Sequence, residues 1–303
     1  MNKFRGILQI GLFGLKRKLF GTKYIAAFDV TDACNLRCEH CYHFYGKSDF
    51  LKETIPIVQW KERLNDLYRS GIRLVLLVGG EPALRPDVLM LADKIFPFVS
   101  IITNGTIKIP LEFKHPLFVS VDGAEKTNDK IRGQGVFSKI LENFSGDHRV
   151  IINMTVNGQN YTELEQVVRT SQEHNFAGVI CNIYMSKTED DEHTDPMVPT
   201  KSLRREILQE LRRVKSHYPN DFLLSDAMIR WYEETDHRGW CYWGDEVRHF
   251  DASWNTRRCF MNKACSNCGC FAGALHGSLT VQLRSKETMQ LIKKIWQIYN
   301  SGK

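Results

Sequence analysis

Apolar runs alternate with helical patterns through residue 185, and that alternation limits the fold more than any other feature of the chain. Strand-like runs occupy 24–30, 73–78, 99–103, 117–121, 150–156 and 178–185. Between them, helical spacing predicts helices over 57–70, 87–95, 137–144 and 162–174, while 106–115 is long enough only for a turn. Near-continuous apolar strands separated by helices are strands buried on both faces, which means parallel β-α units. In such folds ligands gather at the C-terminal ends of the strands.

The polar signals of the sequence fall at those ends. Cys34, Cys38 and Cys41 follow the first run as C-N-L-R-C-E-H-C, and Gly79-Gly80-Glu81-Pro82 follows the second. Thr103-Asn104-Gly105 ends the third, and Ser120-Val121-Asp122-Gly123 ends the fourth. Three thiolates spaced C-x3-C-x2-C can hold three irons of a four-iron, four-sulfur cube and leave the fourth iron without a protein ligand. Such an iron is a place to bind and reduce something. A zinc site is the competing reading, but zinc ligands usually pair as C-x2-4-C with a second pair farther on. Here three come together and the fourth is missing.

With these two motifs the sequence resembles the radical S-adenosylmethionine (SAM) superfamily, which is marked by that cysteine spacing and by a G-G-E-P run. The resemblance implies an α/β fold, a partial (β/α)6 TIM-type barrel spanning residues 24–217. It implies a [4Fe–4S] cluster on Cys34, Cys38 and Cys41, with SAM chelating the open iron. One electron from the cluster then breaks the C5′–S bond, and a 5′-deoxyadenosyl radical abstracts hydrogen from a substrate. It also implies a reduced flavodoxin or ferredoxin type of electron donor. SAM contacts are expected at His40, where the family prefers an aromatic ring, with Tyr42 sharing the role, and at Gly79, Gly80 and Glu81. Asn104, Ser120 and Asp122 are placed to meet the ribose and methionine groups, Arg132 resembles the arginine that pairs with the SAM carboxylate, and Asn153 on the fifth strand is placed for the same pocket. Strand-end caps and turn residues are the competing reading for each of these singly. Cys181, within the sixth run, reads as a small core residue.

The nine cysteines come without a cleavable signal, which points to a reducing, cytoplasmic compartment, with peripheral membrane attachment as a variant. The net charge of +6 is carried entirely by residues 1–23, which hold Lys3, Arg5, Lys16, Arg17, Lys18 and Lys23 and no acidic residue. The rest of the chain has 35 basic and 35 acidic side chains, so a nucleic-acid surface is not expected. Phe4, Ile7, Leu8, Leu12, Leu15 and Leu19 make a helical stripe in the basic segment, too short to span a bilayer. Residues 1–20 therefore read either as an amphipathic helix on an anionic membrane or beside a lipid-like substrate, or as an ordinary helix under the domain.

An acidic, proline-containing linker, 189–200, leads to a helix over 202–216. Residues 218–303 then read as a small cysteine-rich domain over the barrel mouth, ending in an amphipathic helix over 287–299. Its first part holds Cys241, Cys259, Cys265, Cys268 and Cys270. That density means metal, either an auxiliary [4Fe–4S] cluster or a structural zinc. The family carries auxiliary clusters in extensions of the SPASM or twitch kind, and five thiols suffice for one cluster. Cys241 is the candidate outlier, with Cys270 as the alternative. The sequence thus predicts a radical SAM enzyme acting on a peptide or a lipid-like molecule. Its rival is a non-catalytic iron–sulfur or zinc protein for electron transfer or scaffolding.

Overall fold

The computed structural model describes residues 23–44, 55–185, 195, 197–234, 236–237, 239–260, 265–281 and 286–301. The basic segment 1–20 and the acidic run from Glu189 to Glu192 lie outside them. The six expected strands form as β1 (Ile25–Asp29), β2 (Leu74–Val78), β3 (Phe98–Thr103), β4 (Leu117–Ser120), β5 (Val150–Val156) and β6 (Gly178–Ile183). Each pairs in parallel with the next, as buried Val, Ile and Leu runs require. The connecting helices are α1 (Ile57–Arg69), α2 (Pro86–Ile95), α3 (Glu125–Arg132), α4 (Val136–Phe144) and α5 (Leu164–Glu173). Among these, α1 shows the packing rule at work: its residues Trp60, Leu64 and Leu67 recur at helical spacing and are buried against the sheet.

Among the described residues before β6, α3 is the one α-helix that the sequence pattern does not reveal. Its sequence, EKTNDKIR, has no apolar stripe, so its stability comes from its ends. At the start, the Glu163 carboxylate accepts from Ala124 N (2.7 Å) and Thr127 Oγ1 (2.6 Å). At the far end Asp129 accepts from Gly135 N (2.6 Å) and Phe137 N (2.9 Å), which also caps α4.

After β6 come α6 (Lys201–His217), α7 (Asp226–Glu233), α8 (Tyr242–Glu246), β7 (Arg248–Phe250), β8 (Thr256–Arg257), α9 (Phe271–Val281) and α10 (Lys286–Ser301). Strand β7 pairs in parallel with β1, and β8 pairs antiparallel with β7, so the sheet runs β6-β5-β4-β3-β2-β1-β7-β8 and does not close. The cysteine-rich region thus contributes strands to the barrel sheet itself. It also reaches the opposite end. Leu223 N donates to Val179 O (2.7 Å), and Ile183 N donates to Gly269 O (2.9 Å), both along β6. Among the described residues no helix is long and apolar enough to cross a membrane.

Candidate active site and second thiol pocket

The cysteine loop leaves β1 and lies over the end of β2. Gly80 N donates to Thr31 O and Glu81 N to Ala33 O, each at 2.8 Å, so the loop continues the β1–β2 ladder past the strands. This contact explains the two glycines. A Cβ on Gly80 would lie 2.1 Å from Ala33 O, and one on Gly79, at φ +120°, would lie 2.6 Å from Thr31 O. What approaches their backbone is the loop that carries the thiols.

Glu81 is fully buried, and both of its oxygens serve the protein. Oε1 accepts from Ala83 N (2.9 Å) and Thr103 Oγ1 (2.7 Å), and Oε2 accepts from Asn104 N (2.7 Å). Burial pushes its pKa up, against those hydrogen bonds. The carboxylate therefore ties the end of β2 to the end of β3, and through Asn104 it reaches the first thiol. The Asn104 amide donates to Cys34 Sγ (3.8 Å) and to Asn35 Oδ1 (2.9 Å).

Around Cys38 the site is electrostatic. Asp122, fully buried at the end of β4, meets Arg132 Nη2 at 2.6 Å and His40 Nε2 at 2.8 Å. Burial alone would raise its pKa, but Arg132 and His40 outweigh that and hold the carboxyl at about 2. Its main chain is fixed as well: its N–H donates to Asn128 Oδ1 (3.0 Å), and its carbonyl accepts from Asn160 Nδ2 (3.1 Å). Arg132, the last residue of α3, donates from Nη1 to Cys38 Sγ at 4.0 Å. The Cys38 thiol is pushed up to about 11, chiefly by burial and partly offset by Arg132. Burial likewise raises Cys34. Cys41 lies close enough for its thiolate to disfavour those of Cys34 and Cys38. Half-buried thiols with N–H donors aimed at sulfur suit thiolates neutralised by iron.

The other expected residues sit on the same rim. Ser120 lies beside Asn153 across β4–β5, and Asn153 Oδ1 accepts from Asn182 Nδ2 (2.8 Å). Asn182 Oδ1 in turn accepts from Phe271 N (2.9 Å), which joins the barrel to the start of α9 beside Cys270. Asn182 and Tyr184 escape the sequence reading. Tyr184 stacks against His40 with ring centres 6.2 Å apart. A polar residue inside an apolar strand was the available signal for Asn182.

Cys241, Cys259, Cys265, Cys268 and Cys270 all line one second pocket, with Met185, His237, Trp243 and Phe260. It lies between the end of β6 and the β7–β8 side. Gly269 makes the first wall: a Cβ there would sit 2.2 Å from Ile183 O, so the Cys268-Gly269-Cys270 backbone presses on the end of β6. Buried Arg204 of α6 holds that wall, donating from Nη2 to Cys268 O (2.7 Å) and from Nη1 to Asn267 Oδ1 (3.0 Å). Burial pushes Cys268 up to about 12 and drives Cys270 up well above the ordinary thiol range.

Zinc and an iron–sulfur cube differ in the thiol spacing they impose once bound. Four thiolates on one zinc, at Zn–S about 2.3 Å, stand roughly 4 Å apart, whereas ligands at the corners of an iron–sulfur cube stand farther apart. Among the described residues, Asp29, Asp32 and His43 form the one group of three or more ligand atoms that all lie within 4.8 Å of one another. No three thiols are so tight, in either pocket. The Asp29 group is already engaged internally, since Arg257 Nη2 donates to Asp29 Oδ1 (2.7 Å) and His43 Nε2 lies 3.1 Å from Asp32 Oδ1.

Tyr42 stands between the two sets of thiols. Burial raises its pKa, and thiolates at both Cys41 and Cys259 add to the rise. Its ring meets that of Phe260 with centres 6.3 Å apart.

Comparison with known proteins identifies the fold and the family. The chain is 30% identical over 163 residues to pre-heme d1 synthase of Dinoroseobacter shibae, covering 48% of this chain and 40% of that one. It is 33% identical over 156 residues to the mycofactocin maturase MftC of Mycolicibacterium smegmatis, covering 46% and 39%. The chain thus spans about two fifths of the length of these relatives. Two solved structures share the fold, each with a TM-score of 0.62. Streptococcus suis SuiB bound to precursor peptide SuiA is 15% identical, covering 86% of this chain and 65% of that one. AnSMEcpe with bound AdoMet is 13% identical, covering 89% and 83%. The family model described as the radical SAM superfamily, which uses a [4Fe–4S] cluster and SAM, matches residues 28–199, and the chain belongs to that superfamily.

Proposed function

We propose that this protein is a peptide-modifying radical SAM enzyme with one auxiliary [4Fe–4S] cluster in the second thiol pocket. The observation that carries the reading is the convergence of two thiol sets, three cysteines on the loop after β1 and five in the second pocket, on one rim of the barrel. Cys34, Cys38 and Cys41 would hold the cluster, which would supply the one-electron reduction of SAM that starts hydrogen abstraction from a substrate. A flavodoxin- or ferredoxin-like protein is the proposed source of that electron.

The chain's own residues bind, orient and shield. The Glu81 bridge fixes the β2 and β3 ends under the cysteine loop. Asp122 holds both His40 and Arg132 beside Cys38, which orients the imidazole toward the place the adenine would take. Ser120 and Asn153 offer polar groups to the ribose. With five thiols around the second pocket, every iron of an auxiliary cube can take a protein ligand, which favours passing an electron over holding a substrate atom.

Among relatives, maturases such as MftC and the sporulation killing factor maturation protein SkfB of Bacillus subtilis support a peptide substrate. Anaerobic reconstitution should give about eight irons per chain, four per cluster, and 5′-deoxyadenosine on reduction with SAM. Replacing Cys34, Cys38 and Cys41 with Ala should abolish the nucleoside and leave about half of the iron; zinc in its place refutes the auxiliary cluster. Deuterated peptide, lipid and porphyrin fractions then name the substrate class. Deuterium reaching 5′-deoxyadenosine from the peptide fraction is the expected result, and transfer from either of the others overturns it. A fully loaded protein that binds no SAM would be the non-catalytic alternative.

A further inference from the structure

Reduction adds negative charge to a site already ringed by thiolates, so any fixed cation at its wall favours the reduced state. One arginine is built into that wall. Arg258 Nη1 donates to Cys265 Sγ at 3.5 Å. Its other side is gripped by Asp245 through two bonds, Nε to Oδ1 at 3.1 Å and Nη2 to Oδ2 at 3.0 Å. The same Asp245 Oδ2 accepts from Cys241 N at 2.7 Å, and Asp245 N donates to Cys241 O at 2.8 Å. Two thiol residues distant in sequence are therefore joined through one carboxylate and one guanidinium.

Space for this arrangement is provided by Gly244. A Cβ there would lie 3.3 Å from both Cγ and Nε of Arg258, so a larger residue would push the guanidinium off its line to the sulfur. A bidentate grip matters because a free arginine samples many rotamers and is screened by water. Held by Asp245, the cation is fixed beside the sulfur.

We propose that Arg258, clamped by Asp245 over Gly244, is a positioning residue that hydrogen-bonds the Cys265 thiolate and raises the reduction potential of the auxiliary cluster. This rests on the auxiliary-cluster reading above. The lysine variant keeps a charge but loses the planar fork, so it should fall between wild type and a neutral residue.

The test uses the full chain with Cys34, Cys38 and Cys41 replaced by Ala, so that one signal remains, and follows an EPR-monitored redox titration. Arg258→Gln should shift the midpoint to lower potential at unchanged iron and sulfide content. Arg258→Lys should give a smaller shift, and Gly244→Val, which keeps the arginine but displaces it, should also shift it downward. An unchanged midpoint in an iron-loaded Arg258→Gln overturns the proposal. If Arg258→Gln does not load, Gly244→Val decides, and an unchanged midpoint there overturns it equally. Absence of iron and sulfide from the parent triple variant would instead refute the auxiliary cluster itself.

Discussion

Gly80 and Asp122 show how differently two residues of one rim are constrained. Gly80 is set by space: the Cβ of Gly80→Ala would fall 2.1 Å from Ala33 O and so move the cysteine loop. The expected outcome is loss of the iron held by Cys34, Cys38 and Cys41 with the auxiliary iron retained, read by iron analysis and EPR. Asp122 is set by charge. Asp122→Asn would leave buried Arg132 without its carboxylate, and breaking a buried pair of this kind costs about 3 kcal/mol. Equilibrium urea unfolding checks that figure; a change below about 1 kcal/mol, the range of exposed pairs, would show the charge to be solvated. The cysteines and the G-G-E-P run were legible as chemistry because their spacing is local. The partners of Glu81 were not, since Thr103 and Asn104 come from another strand, and Arg258 belongs to no motif.

Elements were legible in proportion to how much apolar surface they bury. The six parallel strands read as apolar runs, whereas α3 carries a single apolar residue, Ile131, and β8 has two residues, too few for any period. Strand β7 carries its own test. His249 is buried, and its Nε2 lies 2.7 Å from Trp243 O, tying β7 to α8. Burial lowers its pKa to about 4, with Arg257 and Lys23 adding to the shift against the Trp243 hydrogen bond. The folded pKa is below the ordinary 6.5, so between pH 6.5 and 4 the unfolded chain binds the extra proton. The stability from neutral His249 is thus intact above pH 6.5 and lost as pH falls through that window, up to roughly 3 kcal/mol. Thermal unfolding between pH 7 and 4.5 should show the loss, and His249→Gln should flatten it.

On the scale of the whole molecule, residues 218–303 serve the barrel as much as their own pocket. Deleting them would strip β7 from β1 and the 221–223 segment from β6, exposing both edges of a hydrophobic parallel sheet. Such edges pair between molecules, so the fragment ending at residue 217 should aggregate in size-exclusion chromatography where the full chain does not. The sequence marked this region by its cysteines but did not reveal its strand pairing, because β7 joins β1 and residues 221–223 and 269 join β6 across long stretches of chain. The second thiol pocket draws its walls from both extremes of the sheet: Cys268 and Cys270 stand at β6, while Cys259 follows β8. An iron cube there would be the buckle of an unclosed hoop, since metal binding that joins two chain segments is also folding energy. Oxygen reaching that cube would then do more than silence a redox centre: it would unfasten the barrel.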